Sequence, residues 1–255
     1  MKIATWNING MKARLDFILH WLANRDVDVV GLQELKMMDD AFPHAAFADA
    51  GFTCVTHGQK SWNGVAILSR LPVEVTQVGL PGQEDFGARL ITARIDDDIE
   101  YTTVYCPNGK TLEHADYERK LDWFASLAEH WQSRDRSASV IAGDFNIVPT
   151  ALDGHGGEAA DGTLFHSSPE RDALAALTQT GLIDVYRALH PDERAFSWWD
   201  YRGGSFHRNQ GLRIDYLLAA PAIAARATAV EIDRDYRKKR DGLTASDHAP
   251  VIATF

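Results

Sequence analysis

The chain has 255 residues, with 26 lysines and arginines against 36 aspartates and glutamates, a formal net charge of −10. Hydrophobic residues make up 45% of it and charged residues 24%, which excludes global disorder, collagen-like repeats and fibrous coils. No apolar run approaches the roughly 18 residues that cross a bilayer, so we expect no membrane association. The acidic total argues mildly against a nucleic-acid partner, because phosphate attracts basic surfaces.

The chain contains only two cysteines, Cys54 and Cys106. Two are too few for a disulfide framework, which favours a reducing compartment and predicts a cytoplasmic protein. No internal repeat, low-complexity tract or Pro/Ser-rich linker divides the sequence. We therefore expect a single domain over residues 1–255, since one core of this size buries most of the surface of its chain.

Apolar patterns predict the elements of this domain in chain order. They indicate a strand over residues 2–6, a helix over 11–24, strands over 27–32, 65–68, 90–95 and 101–105, a helix over 112–133, a strand over 140–142, a helix over 168–180, and strands near 214–218 and 251–255. Ser168 and Pro169 suit the N-cap and first position of the third helix. Several strands are almost wholly apolar, as in sheets covered on both faces. The mixture predicts an α/β protein with helices outside two mixed sheets packed face to face.

Acidic, amide and imidazole side chains repeatedly stand at the ends of these apolar strands. They are Asn7, Glu34, Asp144, Asn146, Asp215, Asp247 and His248. Strand ends at one edge of a sheet converge, so these groups can share one site. Carboxylates gathered in this way repel one another without a cation, and oxygen ligands favour Mg²⁺, Mn²⁺ or Ca²⁺ over zinc.

Each of these residues also has an ordinary structural interpretation. Asn7 alone would form an Asx-turn after a strand, and Glu34 alone would begin a loop. Asp215 within an apolar run would form a salt bridge with Arg213 or another arginine, and a lone His248 would be a hydrogen-bonded core residue. The recurrence of polar groups at strand ends favours a functional site over these separate explanations.

Six sequence blocks resemble the signatures of the exonuclease III family of AP endonucleases, and they occur in the same order along the whole chain. They are the segments WNING (6–10), GLQELK (31–36), GDFNI (143–147), FSWWDYR (196–202), GLRIDY (211–216) and SDHAP (246–250). The resemblance implies the four-layered α/β sandwich, DNase I-like, of the wider endonuclease/exonuclease/phosphatase group. It also implies a Mg²⁺-dependent DNA-repair nuclease that cleaves at abasic sites or processes 3′ ends of double-stranded DNA, acting as a monomer, with Mn²⁺ as a plausible substitute.

The same resemblance assigns roles at the reacting centre. Glu34 would be the principal metal ligand, with Asn7 and Asp247 completing the metal environment. Asp144 would orient or deprotonate the attacking water with the help of Asn146. The remaining catalytic group comprises His248, which would contact the scissile phosphate, Asp215 behind it, and the active-site tyrosine, Tyr105.

The resemblance further implies a set of DNA-binding residues. Asn108 would contact phosphate, and Trp198, Leu212 and Ile214 would form an apolar pocket for a base-less sugar turned out of the duplex. The segment from residue 196 to 240 holds nine lysines and arginines against five acidic residues. We expect Arg208, Arg213 and Lys110, with the basic run over residues 237–240, to belong to a DNA-facing patch.

One departure from the family pattern bears on substrate choice. Phe165 and His166 stand about where many AP-cleaving members have a small residue. A bulky side chain beside the pocket would hinder an internal abasic site while sparing frayed 3′ ends. We therefore expect the balance between abasic-site cleavage and 3′-end processing to differ from that of the best-known members.

Two other functions remain open from the sequence. One is a phosphodiesterase or phosphatase of the same superfamily with a non-DNA substrate, such as an inositol polyphosphate or sphingomyelin. The other is a nucleic-acid-binding regulator on the same scaffold that has lost catalysis. Every expected catalytic residue is present, which disfavours the regulator.

Overall fold

The computed structural model describes residues 1–133 and 136–255. The strands are β1 Lys2–Asn7, β2 Val29–Gln33, β3 Thr53–His57, β4 Val65–Ser69, β5 Val73–Val78, β6 Leu90–Ile95, β7 Ile99–Tyr105, β8 Ser139–Asp144, β9 Ile183–Asp184, β10 Asp215–Ala219, β11 Ala229–Ile232 and β12 Val251–Thr254. The helices are α1 Met11–Asn24, α2 His44–Asp49, α3 Ala115–Gln132, α4 Ser168–Thr178, α5 Val185–Leu189 and α6 Pro221–Ala224.

The strands form two six-stranded mixed sheets. The first has the order β11-β12-β1-β2-β4-β3 and the second the order β5-β6-β7-β8-β10-β9. Each sheet contains one parallel pair at its centre, β1 with β2 and β7 with β8, and its other neighbours are antiparallel. The predicted α/β fold with two mixed sheets and outer helices is therefore confirmed.

Alternation along the strands explains the four layers. In β1, Ile3 packs between the two sheets, whereas Ala4 and Trp6 pack under α1 on the outer face. In β8, Val140 and Ala142 face the first sheet, and Ile141 packs beneath α3 and α4. This period of two buries both faces of each central strand.

The two sheets approach each other closely at Gly31 in β2. A Cβ atom at this position would lie 2.3 Å from the hydroxyl oxygen of Tyr101 and 2.6 Å from Oγ1 of Thr103, both on the opposing sheet. The absence of a side chain at Gly31 lets these two polar groups fill the gap between the sheets. This contact brings the ends of the central strands of both sheets to the same edge of the molecule.

The predicted elements match the structure apart from local details. The strands β3, β5, β9 and β11 and the short helices α2, α5 and α6 lacked a clear sequence signal and were not predicted. The N-cap of α4 is Ser167 rather than Ser168, because the Ser167 side chain accepts a hydrogen bond from the backbone of Glu170 and completes a capping box. Among the described residues, no helix is long and apolar enough to cross a membrane.

Candidate active site

Three inward-facing strand-end residues meet between the two sheets. Asn7 ends β1, Asp144 ends β8 and Asp215 begins β10. Each lies on the face of its strand that points toward the other sheet. The side-chain amide of Asn7 donates to Asp144 Oδ2 and to Glu34 Oε1, both at 2.9 Å. Asn7 therefore joins a carboxylate of the first sheet to one of the second.

Glu34 follows β2 in a left-handed backbone conformation, with φ of 57°. Such a conformation is uncommon outside glycine and asparagine and is a form of local strain that clusters at functional sites. Lys36 Nζ lies 2.8 Å from Glu34 Oε2. Burial raises the pKa of Glu34, but the charge of Lys36 and the hydrogen bond from Asn7 outweigh burial and hold that pKa below its ordinary value. Glu34 is thus an ionised carboxylate at neutral pH.

Asp247 is tied to the same cluster through Asn9. The Asn9 side chain donates to Asp247 Oδ1 at 2.9 Å and accepts from Lys36 Nζ at 2.6 Å. The indole of Trp198 donates to the other Asp247 oxygen at 3.0 Å. Burial raises the pKa of Asp247, but the neighbouring His248 and these hydrogen bonds outweigh burial and lower it.

His248 and Asp215 form a buried hydrogen-bonded pair. His248 Nδ1 lies 2.9 Å from Asp215 Oδ2 and 3.1 Å from Oδ1. Ser197 Oγ donates to the same carboxylate at 2.5 Å and accepts from the backbone of Asp215 at 3.1 Å. Burial lowers the pKa of His248, but Asp215 outweighs burial and raises it to about 10. The imidazole is therefore a cation whose Nε2–H points away from Asp215.

Asp144 lies on the other side of that imidazole. Its Oδ2 is 3.8 Å from His248 Nε2, and its Oδ1 accepts from the backbone N–H of Asn146 at 2.9 Å. Burial raises the pKa of Asp144 to about 7, with Asp215 adding to the effect and His248 opposing it. A carboxylate with a pKa near the working pH is suited to accept a proton from water.

Tyr105 and Asn108 extend the cluster along the second sheet. Tyr105 ends β7, in parallel register with Asp144, and the guanidinium of Arg89 lies 5.0 Å from the centroid of its ring. Burial and the charge of Glu34 raise the pKa of Tyr105, so it remains a neutral phenol. Asn108 is exposed, and its side chain donates to Asn146 Oδ1 at 3.4 Å. These groups line one side of the mouth of the site.

The residues predicted to form an apolar pocket do lie together. Trp198 and Leu212 pair through two backbone hydrogen bonds of 2.9 Å each. They pack with Ile214, Val148 and Phe165 in one small cluster. Trp198 and Phe165 are only partly buried, so they form the open side of this pocket, next to His248.

Phe165 adopts a left-handed conformation, with φ of 69°, which is strained for an aromatic residue. Its neighbour His166 is buried behind the pocket, with its ring against the backbone of Gly154. His166 Nδ1 has no hydrogen-bond partner among the described residues. Of the two bulky residues, Phe165 is therefore the one that packs within the apolar pocket.

The prediction that Arg213 contacts DNA is wrong. Its side chain is 1% exposed and forms ion pairs of 2.7 Å with Asp153 and 2.8 Å with Asp184. Because Arg213 faces these carboxylates, it also does not pair with Asp215, the structural alternative considered for that residue. Arg237 is likewise buried, donating to the backbone oxygens of Asp247 and Trp199.

The other two predicted basic DNA contacts are on the surface. Arg208 is exposed in the loop between Trp199 and β10. Lys110 is exposed beyond Asn108, and its ammonium lies 2.6 Å from Asp116. Both side chains can therefore reach a phosphate. Lys110 would have to break its ion pair with Asp116 to do so.

Two sets of residues offer oxygen or nitrogen ligands to a metal ion. One candidate set is Asp144, Asp215 and His248, whose ligand atoms lie within 4.8 Å of one another, but His248 is protonated at neutral pH because its pKa is raised to about 10, and a histidine must be neutral to bind a metal ion. The other is Glu34 with Asn7, both oxygen-bearing; Glu34 is partly exposed, whereas Asn7 is fully buried. Hard oxygen ligands of this kind suit Mg²⁺, so the second set fits the group that the sequence implies.

Comparison with known proteins shows the family of this chain. A model of the Endonuclease/Exonuclease/phosphatase family matches residues 4–248. Exodeoxyribonuclease III of Haemophilus influenzae is 35% identical over 100% of both chains. The chain belongs to the exonuclease III family.

Solved structures of similar proteins have the same fold. A 3′ phosphatase from Neisseria, determined with a product DNA hairpin, is 39% identical, with a TM-score of 0.95 over 100% of this chain and 99% of that one. An AP endonuclease from Archaeoglobus fulgidus is 33% identical, with a TM-score of 0.94 over 100% and 99%. The predicted DNase I-like architecture is confirmed.

Sequence reasoning missed several residues that hold the site together. Ser197 and Ser246 each stand inside one of the six sequence blocks, but nothing in the sequence indicated a role for their hydroxyls. In the structure, Ser246 Oγ donates to the backbone oxygen of Asn7 at 2.7 Å. Asn9 was visible in the first block, yet its bond to Asp247 joins residues 238 apart in sequence. Such contacts depend on the fold and leave no local pattern.

Proposed function

We propose that the protein is a Mg²⁺-dependent DNA-repair nuclease that hydrolyses phosphodiesters at 3′ ends and abasic sites of double-stranded DNA. The observation that carries this proposal is the convergence of Asp144, Asn7 and the Asp215–His248 pair in one buried slot between the two sheets. The similarity to exodeoxyribonuclease III over both full lengths supports the same function. A monomer located in the cytoplasm is part of the proposal.

Glu34 would hold the metal ion, with Asn7 and Asp247 completing or supporting its surroundings. Glu34 is ionised because Lys36 and Asn7 stabilise its charge. Asn7 Oδ1 accepts a hydrogen bond of 3.0 Å from the backbone N–H of Asn9. When bound, a divalent cation supplies electrostatic stabilisation of the charge that develops on the phosphate. Mn²⁺ would substitute, since it prefers similar ligands.

The chain's own residues supply the proton transfer and the phosphate contact. Asp144, with Asn146 fixing one of its oxygens, accepts a proton from a water molecule, which attacks phosphorus in line with the leaving group. The new P–O bond forms as the bond between phosphorus and the 3′-oxygen breaks, and the released 3′-oxygen takes a proton from solvent to become a 3′-hydroxyl. His248 donates from Nε2 to a phosphate oxygen, and Asp215 keeps the proton on Nδ1.

Substrate choice follows from the apolar pocket. Phe165 packs against Leu212 and Ile214 where a flipped sugar would enter. An internal abasic site needs a pocket deep enough for that sugar, whereas a 3′-terminal phosphate reaches His248 and Asp144 without it. We therefore propose that 3′-end processing outweighs abasic-site cleavage. The similar protein from Neisseria is described as a 3′ phosphatase, which supports this preference.

The alternative functions find less support. Full-length similarity to exodeoxyribonucleases from two bacteria disfavours a non-DNA phosphatase. The complete set of site residues disfavours a regulator without catalysis.

The proposal is tested with purified protein on two duplexes, one ending in a 3′-phosphate and one holding an internal abasic site. We expect Mg²⁺-dependent release of phosphate, abolished by EDTA, and weaker incision of the abasic duplex. Phe165→Gly suits the left-handed backbone and should raise abasic incision, whereas His166→Gly, behind the pocket, serves as the matched comparison. Failure to cleave either duplex with Mg²⁺ would contradict the nuclease; abasic incision that equals phosphate release and is unchanged in both variants would contradict the stated preference.

A further inference from the structure

A buried ion pair lies behind the catalytic residues, on the two outer helices of the second sheet. Lys120 of α3 and Glu170 of α4 are both 0% exposed, with Lys120 Nζ 2.5 Å from Glu170 Oε1. Removing two charges from water is costly, and an apolar pair of similar volume is often as stable or more so. Stability alone therefore gives little reason for charges at this position.

The other contacts of Lys120 lead directly to the site. Its Nζ donates to the backbone oxygen of Asn146 at 2.7 Å and lies 3.4 Å from the backbone oxygen of Asn108. Those two residues follow β8 and β7, respectively. With Glu170 as the third partner, all three donors of the ammonium are used, and one side chain joins the two turns that flank the reacting centre.

Glu170 extends the connection to a third turn. Its Oε2 accepts from Ser167 Oγ at 2.7 Å and from the Ser167 backbone at 3.2 Å, and Ser167 Oγ lies 2.6 Å from the hydroxyl of Tyr117. Ser167 comes two residues after Phe165, whose ring centroid lies 5.1 Å from Lys120 Nζ. The ion pair thus also fixes the chain that places Phe165 in the apolar pocket.

Asn146 transmits this anchoring to the carboxylate that accepts the proton. Asn146 is itself left-handed, with φ of 51°, so its backbone needs support. Its N–H donates to Asp144 Oδ1 at 2.9 Å, and its side chain contacts that of Asn108 and the backbone of Cys106. A shift of the Asn146 carbonyl would therefore move both Asp144 and Asn108 with respect to a bound phosphate.

We propose that Lys120 and Glu170 are positioning residues for hydrolysis, holding Asp144 and Asn108 at their working separation through the backbone oxygens of their two turns. This inference rests on the proposed nuclease function. Neither residue touches substrate. Their contribution is to geometry, and a displacement of about 1 Å at a reacting centre costs on the order of 100-fold in rate.

The test compares Lys120→Met with the double variant Lys120→Met/Glu170→Leu. The single change leaves a buried carboxylate unpaired, so we expect a lower melting temperature and a kcat about 100-fold lower, with KM within about threefold. The double variant removes both charges and should recover part of the lost melting temperature, because the backbone groups of Ser167 and Asn146 still lack their partners, while kcat stays low. Mg²⁺ affinity should be unchanged in both, because Glu34 lies on the other sheet.

Arg25→Met is the matched control. Arg25 pairs with the buried Asp233 at 2.7 Å, at the end of α1 and away from the second sheet. The Arg25→Met variant should have a lower melting temperature than the wild type and an unchanged kcat. Recovery of kcat together with stability in the double variant would show that the Lys120–Glu170 pair is only structural and would overturn the inference.

A readout independent of activity separates this inference from the proposed function. The side-chain amide NMR signals of Asn108 and Asn146 should shift in the double variant and stay fixed in Arg25→Met. Unchanged signals would overturn the inference even if the wild-type protein proved inactive on DNA. An inactive wild type with shifted signals would contradict the nuclease proposal and leave the positioning geometry supported.

Discussion

His248 and Asp215 come from distant parts of the chain and meet with Nδ1 2.9 Å from Oδ2. The carboxylate is the first residue of β10 and the imidazole lies just before β12, so the bond links the two sheets. This hydrogen bond keeps a proton on His248 Nδ1, which faces Asp215. It leaves His248 Nε2 facing Asp144, 3.8 Å away. The orientation of the catalytic imidazole is therefore a property of the fold.

Replacing Asp215 with asparagine should impair the reaction while keeping the size of the side chain. An amide at this position cannot stabilise the imidazolium and disturbs the orientation of its ring, so we expect kcat to fall about 10²- to 10⁴-fold with KM little changed. Steady-state kinetics on the 3′-phosphate duplex measure both. Asp233→Asn, at the buried partner of Arg25, is the control and should keep wild-type kcat; an Asp215→Asn enzyme within tenfold of wild type would contradict the role of the pair.

The same pair should make stability depend on pH in a defined direction. Although burial lowers the pKa of His248, Asp215 raises it to about 10 from 6.5, so its protonated form stabilises the fold fully below pH 6.5 and this contribution is lost as pH rises through 10. His248→Gln should therefore destabilise the metal-free protein by about 4 kcal/mol more at pH 6 than at pH 10, since the pKa rises from 6.5 to about 10 and each pKa unit corresponds to about 1.4 kcal/mol. Urea unfolding at the two pH values measures the difference, and an equal loss at both would refute the pairing of charges.

Loss of the charge on Glu34 should weaken metal binding selectively. Glu34→Gln keeps the size of the side chain and one acceptor oxygen but removes the anion, so we expect Mg²⁺ affinity to fall at least about tenfold. Isothermal titration calorimetry of the metal alone gives this value. Glu231→Gln, an exposed residue of β11, is the matched control, and equal Mg²⁺ affinity in the two variants would exclude Glu34 as a ligand.

Arg213 should matter for stability and not for DNA binding. Arg213→Met leaves Asp153 buried with Arg187 as its remaining guanidinium partner at 2.6 Å, and breaking a buried ion pair costs about 3–5 kcal/mol. Urea unfolding measures this loss. The slope of log Kd for duplex DNA against log salt should stay at the wild-type value, whereas Arg208→Ala should reduce it by about 1. A reduced slope in a stable Arg213→Met protein would restore Arg213 to the DNA-facing surface.

Much of the fold follows from the sequence because its central strands are continuous apolar runs. The runs around Val30, Ile141 and Leu217 are buried on both faces. Their continuous apolar sequence is typical of such strands and predicts them clearly. The edge strands β3, β5 and β11 mix buried and exposed residues, and β9 has two residues. Short or half-exposed strands are defined by their hydrogen-bonded neighbours, so residue pattern alone does not show them.

The site was predictable wherever its residues stand at strand ends in sequence blocks. Asn7, Asp144 and His248 were found in this way and the structure brings them together. The prediction for Arg213 failed because this residue follows Leu212 in a block that was assigned to DNA binding. Successive side chains of an extended chain point to opposite sides, and the side chain of Arg213 points toward Asp153 instead. Lys120 carried no signal, since its partners lie on other elements.

The most direct test of the account is a single-turnover assay of Asp144→Asn on a 3′-phosphate duplex with saturating Mg²⁺. Asparagine keeps the size of Asp144 and a side-chain oxygen for the Asn146 backbone but cannot accept a proton from water at neutral pH. We predict a loss of at least about 10³-fold in the cleavage rate, with DNA and Mg²⁺ affinities close to those of the wild type. A rate within tenfold of the wild type would contradict the central claim that Asp144, held between the two sheets by Asn7 and Asn146, activates the attacking water.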